Sequence, residues 1–136
     1  MTDLALQLRD RTDGDAWTPA RGRAPQRADR IRRRLLCRAC GLPITAEGSR
    51  IEVAGAVRHR RTNPAGQSFE FDCFGGAPGA RPSGPATAEH SWFPGYSWRF
   101  SLCGRCGVQL GWLFVGPPPP FHGLISDRLE PEPGPG

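Results

Sequence analysis

From residue 36 onward, apolar and polar positions alternate with a period of two. Along residues 68–74, Phe69, Phe71 and Cys73 fall on one face, while Glu70 and Asp72 fall on the other. Over residues 98–103, Trp98, Phe100 and Leu102 alternate with Arg99 and Ser101, and over 110–114, Leu110, Trp112 and Phe114 share a face. Successive side chains of a strand point to opposite sides, so each run predicts a half-buried β-strand. Turn formers separate the runs: Asn63-Pro64-Ala65-Gly66, the Gly- and Pro-rich residues 75–85, Pro94-Gly95, and Gly116 followed by four prolines. No stretch carries a helical repeat, and only a turn is expected near 125–129. The fold class is therefore all-β.

Residues 1–34 read as an Arg-rich arm without packed structure, because charges and turn formers leave Trp17 as its one large aromatic. Residues 35–130 form the expected domain, and the proline-rich residues 131–136 an unpacked tail. Gly (18) and Pro (15) are numerous enough to demand many turns. All 18 basic residues are arginine, which excludes lysine Schiff-base chemistry. Residues 1–40 hold ten arginines against five aspartates, whereas the remainder balances eight against eight, so the net charge of +5 belongs to the arm. The cluster Arg30-Ile31-Arg32-Arg33-Arg34 allows a nucleic-acid contact. No second basic patch supports it, and a solvated face is the preferred reading. No run approaches a membrane span, and charges interrupt the first 30 residues where a secretory signal would be apolar. A cytoplasmic chain with no membrane partner is expected.

Cys37-x-x-Cys40 and Cys103-x-x-Cys106 lie 62 residues apart. A tight turn within each pair can bring two sulfurs to one ion, and four thiolates close a tetrahedron with no open position for a catalytic water. Soft sulfur ligands select zinc over magnesium or calcium, so one structural Zn2+ is expected. Four thiolates and one divalent ion would lower the net charge to about +3. Two redox dithiols are the competing reading, but their usual βαβ setting is missing. The segment from His90 to Trp98, with Trp112 and Phe114, gathers three tryptophans near the second cysteine pair. Pro94-Gly95 suits a type II turn that folds Trp92 back toward Trp98. Aromatics on strands are commonly core. Three indoles could also wall an open box for a flat or cationic guest.

Several motifs occur together and in order: Cys37-Arg38-Ala39-Cys40-Gly41, Asn63-Pro64-x-Gly66, Glu89-His90-Ser91-Trp92-Phe93-Pro94-Gly95-Tyr96-x-Trp98, Cys103-x-x-Cys106, Gly111-Trp112-x-Phe114 and Phe121-x-Gly123-Leu124. Over roughly residues 36–129 this pattern resembles the thalidomide-binding (CULT) domain family of cereblon, and in particular its single-domain bacterial members. The resemblance implies a β-tent of two antiparallel sheets pinned by one zinc. It implies that Trp92, Trp98 and Trp112 cage a cyclic imide, with Phe114 closing the side. Backbone groups of His90 and Trp92 would meet the imide edge, Asn63 and Pro64 would line the rim, and Glu89, Ser91 and Phe93 complete the implied ligand-binding segment. Guests in the family are thalidomide-type drugs, uridine and cyclised C-terminal Asn or Gln of peptides. About 35 residues precede the first cysteine, so no ubiquitin-ligase scaffold-binding region is expected. Ala65 stands where a larger residue is common, and the loop at 116–120 is short.

An enzyme is not expected. A related β-architecture, methionine sulfoxide reductase B, needs a nucleophilic cysteine after its second pair, and none follows Cys106. Cys73 is the one spare thiol, and its place beside Phe69 and Phe71 favours an inert buried residue over a redox centre. His59 and His122 lack adjacent carboxylate or cysteine motifs and read as surface or packing residues.

Overall fold

The computed structural model describes residues 27–134, and the expectations for residues 1–26 lie outside the described residues. Within Arg27–Glu132, which forms one compact unit, the chain is almost entirely strand. The strands are β1 (Arg34–Cys37), β2 (Pro43–Ala46), β3 (Arg58–Thr62), β4 (Ser68–Phe74), β5 (Ala80–Thr87), β6 (Ser97–Cys103), β7 (Gln109–Val115), β8 (Phe121–Ile125) and β9 (Leu129–Pro131). They make two antiparallel sheets, one ordered β2-β1-β9 and one ordered β3-β4-β8-β7-β6-β5. The expected all-β class and the two-sheet arrangement are borne out.

β4 explains how the sheets stack. Phe71 and Cys73 on one side are fully buried with Phe93, Trp112, Phe114 and Phe121. Phe74, on the opposite side, is buried with Leu35, Ile44, Leu124 and Leu129, which come partly from the small sheet. Both faces of β4 are therefore covered, and Asp72, expected to face solvent, is itself buried. Its carboxylate accepts hydrogen bonds from Arg58 Nε (2.8 Å) and Nη2 (3.2 Å) and from Arg50 Nη1. That fork satisfies the charge that burial would otherwise leave uncompensated. Burial raises the Asp72 carboxyl, yet the two guanidinium groups outweigh it and hold the group below its ordinary range.

The alternation reading is corrected at β7. Trp112 and Phe114 share a face, but the β6–β7 register slips between Ser101↔Gly111 and Leu102↔Gln109, leaving Leu110 as the extra residue of a β-bulge. A bulge re-aims the side chains on either side of it. Leu110 accordingly joins the cluster beside Cys37 and Cys103, away from Trp112.

Other differences are local. A six-residue helix, Arg27–Arg32, and the first residue of β1 occupy part of the segment expected to be an unpacked arm. Residues 75–85 read as a separator, yet β5 crosses them as an edge strand with an irregular register between Ser83 and Thr87. Edge position explains the tolerance for Pro82 and Pro85, whose missing N–H groups disrupt no inner ladder. At the other end Pro131 still pairs with Leu35, and the Glu132 N–H donates to Arg34 O at 2.9 Å, so pairing runs two residues past the expected boundary. The expected turn near 125–129 is a 3-10 turn at Ser126–Arg128.

Candidate metal centre and aromatic cavity

Cys37 ends β1 and Cys103 ends β6, so each cysteine pair sits where a strand of a different sheet turns back. The two turns repeat one another. Cys37 N–H donates to Leu42 O (2.8 Å) and Gly41 N–H to Cys37 O (2.7 Å); Cys103 N–H donates to Val108 O (2.8 Å) and Gly107 N–H to Cys103 O (3.0 Å). Both turns need a left-handed residue after the second cysteine, supplied by Gly41 (φ +84°) and Gly107 (φ +79°). The result brings four Sγ atoms within 4.8 Å of one another. Cys37 and Cys106 approach to 3.8 Å, and Cys40 and Cys103 to 3.5 Å. Sulfurs about 2.3 Å from a shared tetrahedral ion lie about 3.8 Å apart, so this cluster could hold one metal ion. Burial pushes the Cys37 thiol up to about 12. At Cys103 burial also raises the thiol, but the N–H groups of Cys106 and Arg105 pointing at its sulfur bring it down to about 6.

The aromatic cavity lies on the large sheet, on the side away from the small one. Its volume is about 350 Å³, within the usual range for small-molecule sites. Trp92, Trp98, Trp112 and Phe114 all line it, together with His90, Asn63 and Pro64. Trp112 and Phe114 stand on β7 and Trp98 on β6, paired across the strands as Trp98↔Phe114. Trp92 arrives from the β5–β6 connection and meets Trp112 edge to face, with centroids 4.9 Å apart and planes at 80°.

Local turns set that connection. Tyr96 N–H donates to Phe93 O (3.0 Å) across Pro94-Gly95, with Gly95 at φ +88°, which bears out the expected type II turn. One turn earlier, Ser91 N–H donates to Ala88 O (3.2 Å) and His90 takes φ +60°, uncommon for a residue with a Cβ. Two indole N–H groups tie the walls down. Trp92 Nε1 donates to Thr62 O at 3.2 Å and Trp98 Nε1 to Glu89 O at 2.8 Å. The main-chain N–H and C=O groups of His90 and Trp92 have no hydrogen-bond partner among the described residues.

Not every residue of the implied segment reaches the cavity. Phe93 is buried in the core against Phe71, Phe114 and Phe121. Ser91 bonds within the turn, its Oγ donating to Phe93 O at 3.1 Å, and Glu89 contributes its carbonyl to Trp98. Conversely, Gln67, Phe69, Phe100 and Gln109 line the cavity without having been singled out. The alternation of Phe100 with Trp98 carried that signal, whereas Gln109 is turned to this face by the bulge.

Cys73 is fully buried and its thiol is pushed up to about 12, chiefly by that burial. His59 is a packing residue, stacked on Phe71 with its Nε2 2.9 Å from the carbonyls of Val53 and Ala56. His122 lies with Nδ1 3.4 Å from Ser101 Oγ, and burial lowers its pKa. Within the arginine cluster, Arg34 is engaged by Glu132 through Nε at 3.0 Å. Among the described residues no helix is long and apolar enough to cross a membrane.

No family model matches the chain. It is similar to cereblon from Gallus gallus, 43% identical over 54 residues, which are 36% of this chain and 12% of that protein. Cereblon from Xenopus tropicalis is 38% identical over 53 residues, 35% of this chain and 12% of the relative. Cereblon from Drosophila willistoni is 49% identical over 53 residues, 35% of this chain and 9% of the relative. The match thus spans 12% or less of the length of these relatives. Together with the fold, it marks a cereblon-related domain.

Proposed function

We propose that this cereblon-related domain is a non-catalytic binding module that captures small cyclic imides, glutarimide or uracil-like rings, free or at peptide ends. One observation carries the reading. His90 and Trp92 line an indole-walled cavity, and their main-chain N–H and C=O groups make no hydrogen bond among the described residues.

An imide ring has two apolar faces and an edge reading acceptor, donor, acceptor. The indole faces of Trp92, Trp98 and Trp112 remove the ring faces from water, and Phe114 closes the floor. The His90 carbonyl accepts from the imide N–H while the Trp92 N–H donates to an imide carbonyl. An edge left unpaired in such a site would cost about 1–3 kcal/mol, so these partners decide whether the ring enters. Asn63 and Pro64 form the rim, and Glu89, Ser91 and Phe93 act from behind the wall by fixing the turn. No carboxylate lines the cavity, which favours a neutral ring over a quaternary ammonium guest. The four cysteines hold one zinc, chosen by the all-sulfur tetrahedral donor set. The ion is a staple between β1 and β6, remote in role from the ring.

Trp98→Ala tests the assignment. It should abolish glutarimide quenching of tryptophan fluorescence and leave one equivalent of metal bound. Unchanged imide affinity in this variant would remove the cage from the account.

A further inference from the structure

Among the described residues the two sheets leave four edges, β2 and β9 on the small sheet and β3 and β5 on the large one. Three of them are blunted. β2 begins on Pro43, β9 is three residues long and ends on Pro131, and β5 carries Pro82 and Pro85 in an irregular register. Prolines, short strands and broken register all discourage pairing with a further strand. β3 has none of these devices. Its five residues run in unbroken register against β4, from Arg58↔Asp72 to Thr62↔Ser68.

The ladder fixes which way the β3 main chain points. Just before the strand, Cys73 N–H donates to Val57 O (2.9 Å), and just after it Asn63 N–H donates to Gln67 O (2.8 Å). Bonded and non-bonded pairs alternate in an antiparallel ladder, so His59 and Arg61 bond to β4. Arg58, Arg60 and Thr62 therefore turn their N–H and C=O groups outward, and all three residues are exposed. Trp92 Nε1, which donates to Thr62 O at 3.2 Å, reaches the strand from that outer side. Arg60 O accepts from Arg61 Nη1 at 3.0 Å, and its second lone pair stays available. The three outward N–H groups and the Arg58 carbonyl have no hydrogen-bond partner among the described residues.

Charge selects what can pair there. Asp72 and Glu70 of β4 stand opposite Arg58 and Arg60. Asp72 takes the Arg58 fork, and Glu70 Oε1 lies 4.0 Å from Arg58 Nη1, which leaves Arg60 without an ion pair among the described residues. On this face the sheet is acidic on β4 and basic on β3, so a further strand continues the alternation by being acidic. A second copy of β3 would set arginine against arginine, and like charges directly opposite are destabilising.

We propose that the β3 edge is a docking surface for an extended acidic peptide of another protein, added antiparallel as a seventh strand of the large sheet. Its carboxylates stand opposite Arg58 and Arg60. Main-chain hydrogen bonds supply the affinity, and the arginines select the sign of the charge. The surface acts independently of the aromatic cavity.

The test is amide NMR titration of the isotope-labelled, metal-loaded protein with an acetylated, amidated peptide of alternating Thr and Glu. Saturable shifts should centre on the amides of Arg58, Arg60 and Thr62. In the added strand each residue opposite Arg58 or Arg60 turns both its carboxylate and its main-chain groups toward β3. N-methylating the Glu amides should thus weaken binding at least about tenfold, while N-methylating the Thr amides should change it no more than about twofold. Arg60→Glu alters an exposed residue and should leave the melting midpoint unchanged. It should weaken the Glu peptide about tenfold and admit the matching Thr-Lys peptide, which the wild type rejects. Absence of binding would overturn the proposal, leaving the arginines as guards of an edge. Equal affinity for the two N-methylated peptides would overturn it too, since charge attraction alone would then suffice. So would an Arg60→Glu variant that binds both peptides as the wild type does. A thymidine oligonucleotide that shifts these amides when the peptide does not would replace the peptide with nucleic acid.

Discussion

Withdrawing the metal from the four-cysteine cluster is the most informative perturbation of the fold. An ion held there, as proposed, would cross-link the end of β1 to the end of β6 across the 62 residues between Cys40 and Cys103. Treated as a covalent cross-link over such a loop, it removes about 4 kcal/mol of chain entropy from the unfolded state. The intrinsic binding energy of a tetrathiolate adds to this, and the total stability of an ordinary domain is only about 5–15 kcal/mol. Beyond the main chain no disulfide ties the small sheet to the large one among the described residues, and Leu35, Cys37 and Ile44 of the small sheet pack in one cluster with Cys103 and Leu110 of the large sheet. Since about 1 kcal/mol moves the melting midpoint of a domain this size by roughly 4–8 °C, demetallation should lower it by at least about 15 °C. Circular dichroism melts of metal-loaded and chelator-treated protein, with elemental analysis giving one ion per chain, measure this. A shift below about 5 °C after complete metal removal would refute the staple.

Four further outcomes follow from the packing. Asp72→Asn should cost about 1–2 kcal/mol in urea unfolding, less than a fully buried pair would, because Arg50 and Arg58 are partly exposed and screened; a cost under 0.5 kcal/mol would show the fork to be incidental. The Asp72 carboxyl is depressed in the fold, so its contribution is present above the ordinary carboxylate range and lost as pH falls through its lowered folded value. Acid unfolding of the wild type should therefore steepen below about pH 4, and Asp72→Asn should flatten that limb; parallel acid limbs would contradict the assignment. Cys73 in the metal-loaded native protein should resist iodoacetamide at pH 8 and react only on unfolding, and mass spectrometry showing native labelling would contradict its burial. Gly95→Ala places a Cβ at φ +88° and should destabilise the domain by about 1 kcal/mol in denaturant titrations; a stabilised variant would mean the turn relaxes freely.

Much of this is legible in the sequence. Cysteine spacing identified the cluster because metal geometry constrains ligands within a turn, and Pro94-Gly95 named its own turn type. The tryptophan spacing marked the cavity walls through the family pattern, while alternation alone could not separate wall from core. What escaped has physical reasons. The bulge at Leu110 inverts two residues at once, moving Leu110 to the core and Gln109 to the cavity, and a period-2 reading has no term for it. β5 escaped because its prolines forbid an inner strand yet are harmless at an edge. Asp72 read as solvent-facing because its alternation is correct; what could not be read is that Arg50 and Arg58 would meet it under the second sheet. His90 at positive φ carries a cavity wall in a conformation that sequence would have assigned to glycine.

The central claim is that main-chain groups of His90 and Trp92 read the edge of a cyclic imide held between indoles. Titrating the metal-loaded protein with glutarimide and, separately, with N-methylglutarimide tests it most directly, because the methyl group blocks the edge and leaves the ring faces available. The account predicts saturable, one-to-one binding of glutarimide with quenched tryptophan emission, and a loss of at least about tenfold in affinity on N-methylation. Equal binding of the two rings, or no binding of either, would contradict it.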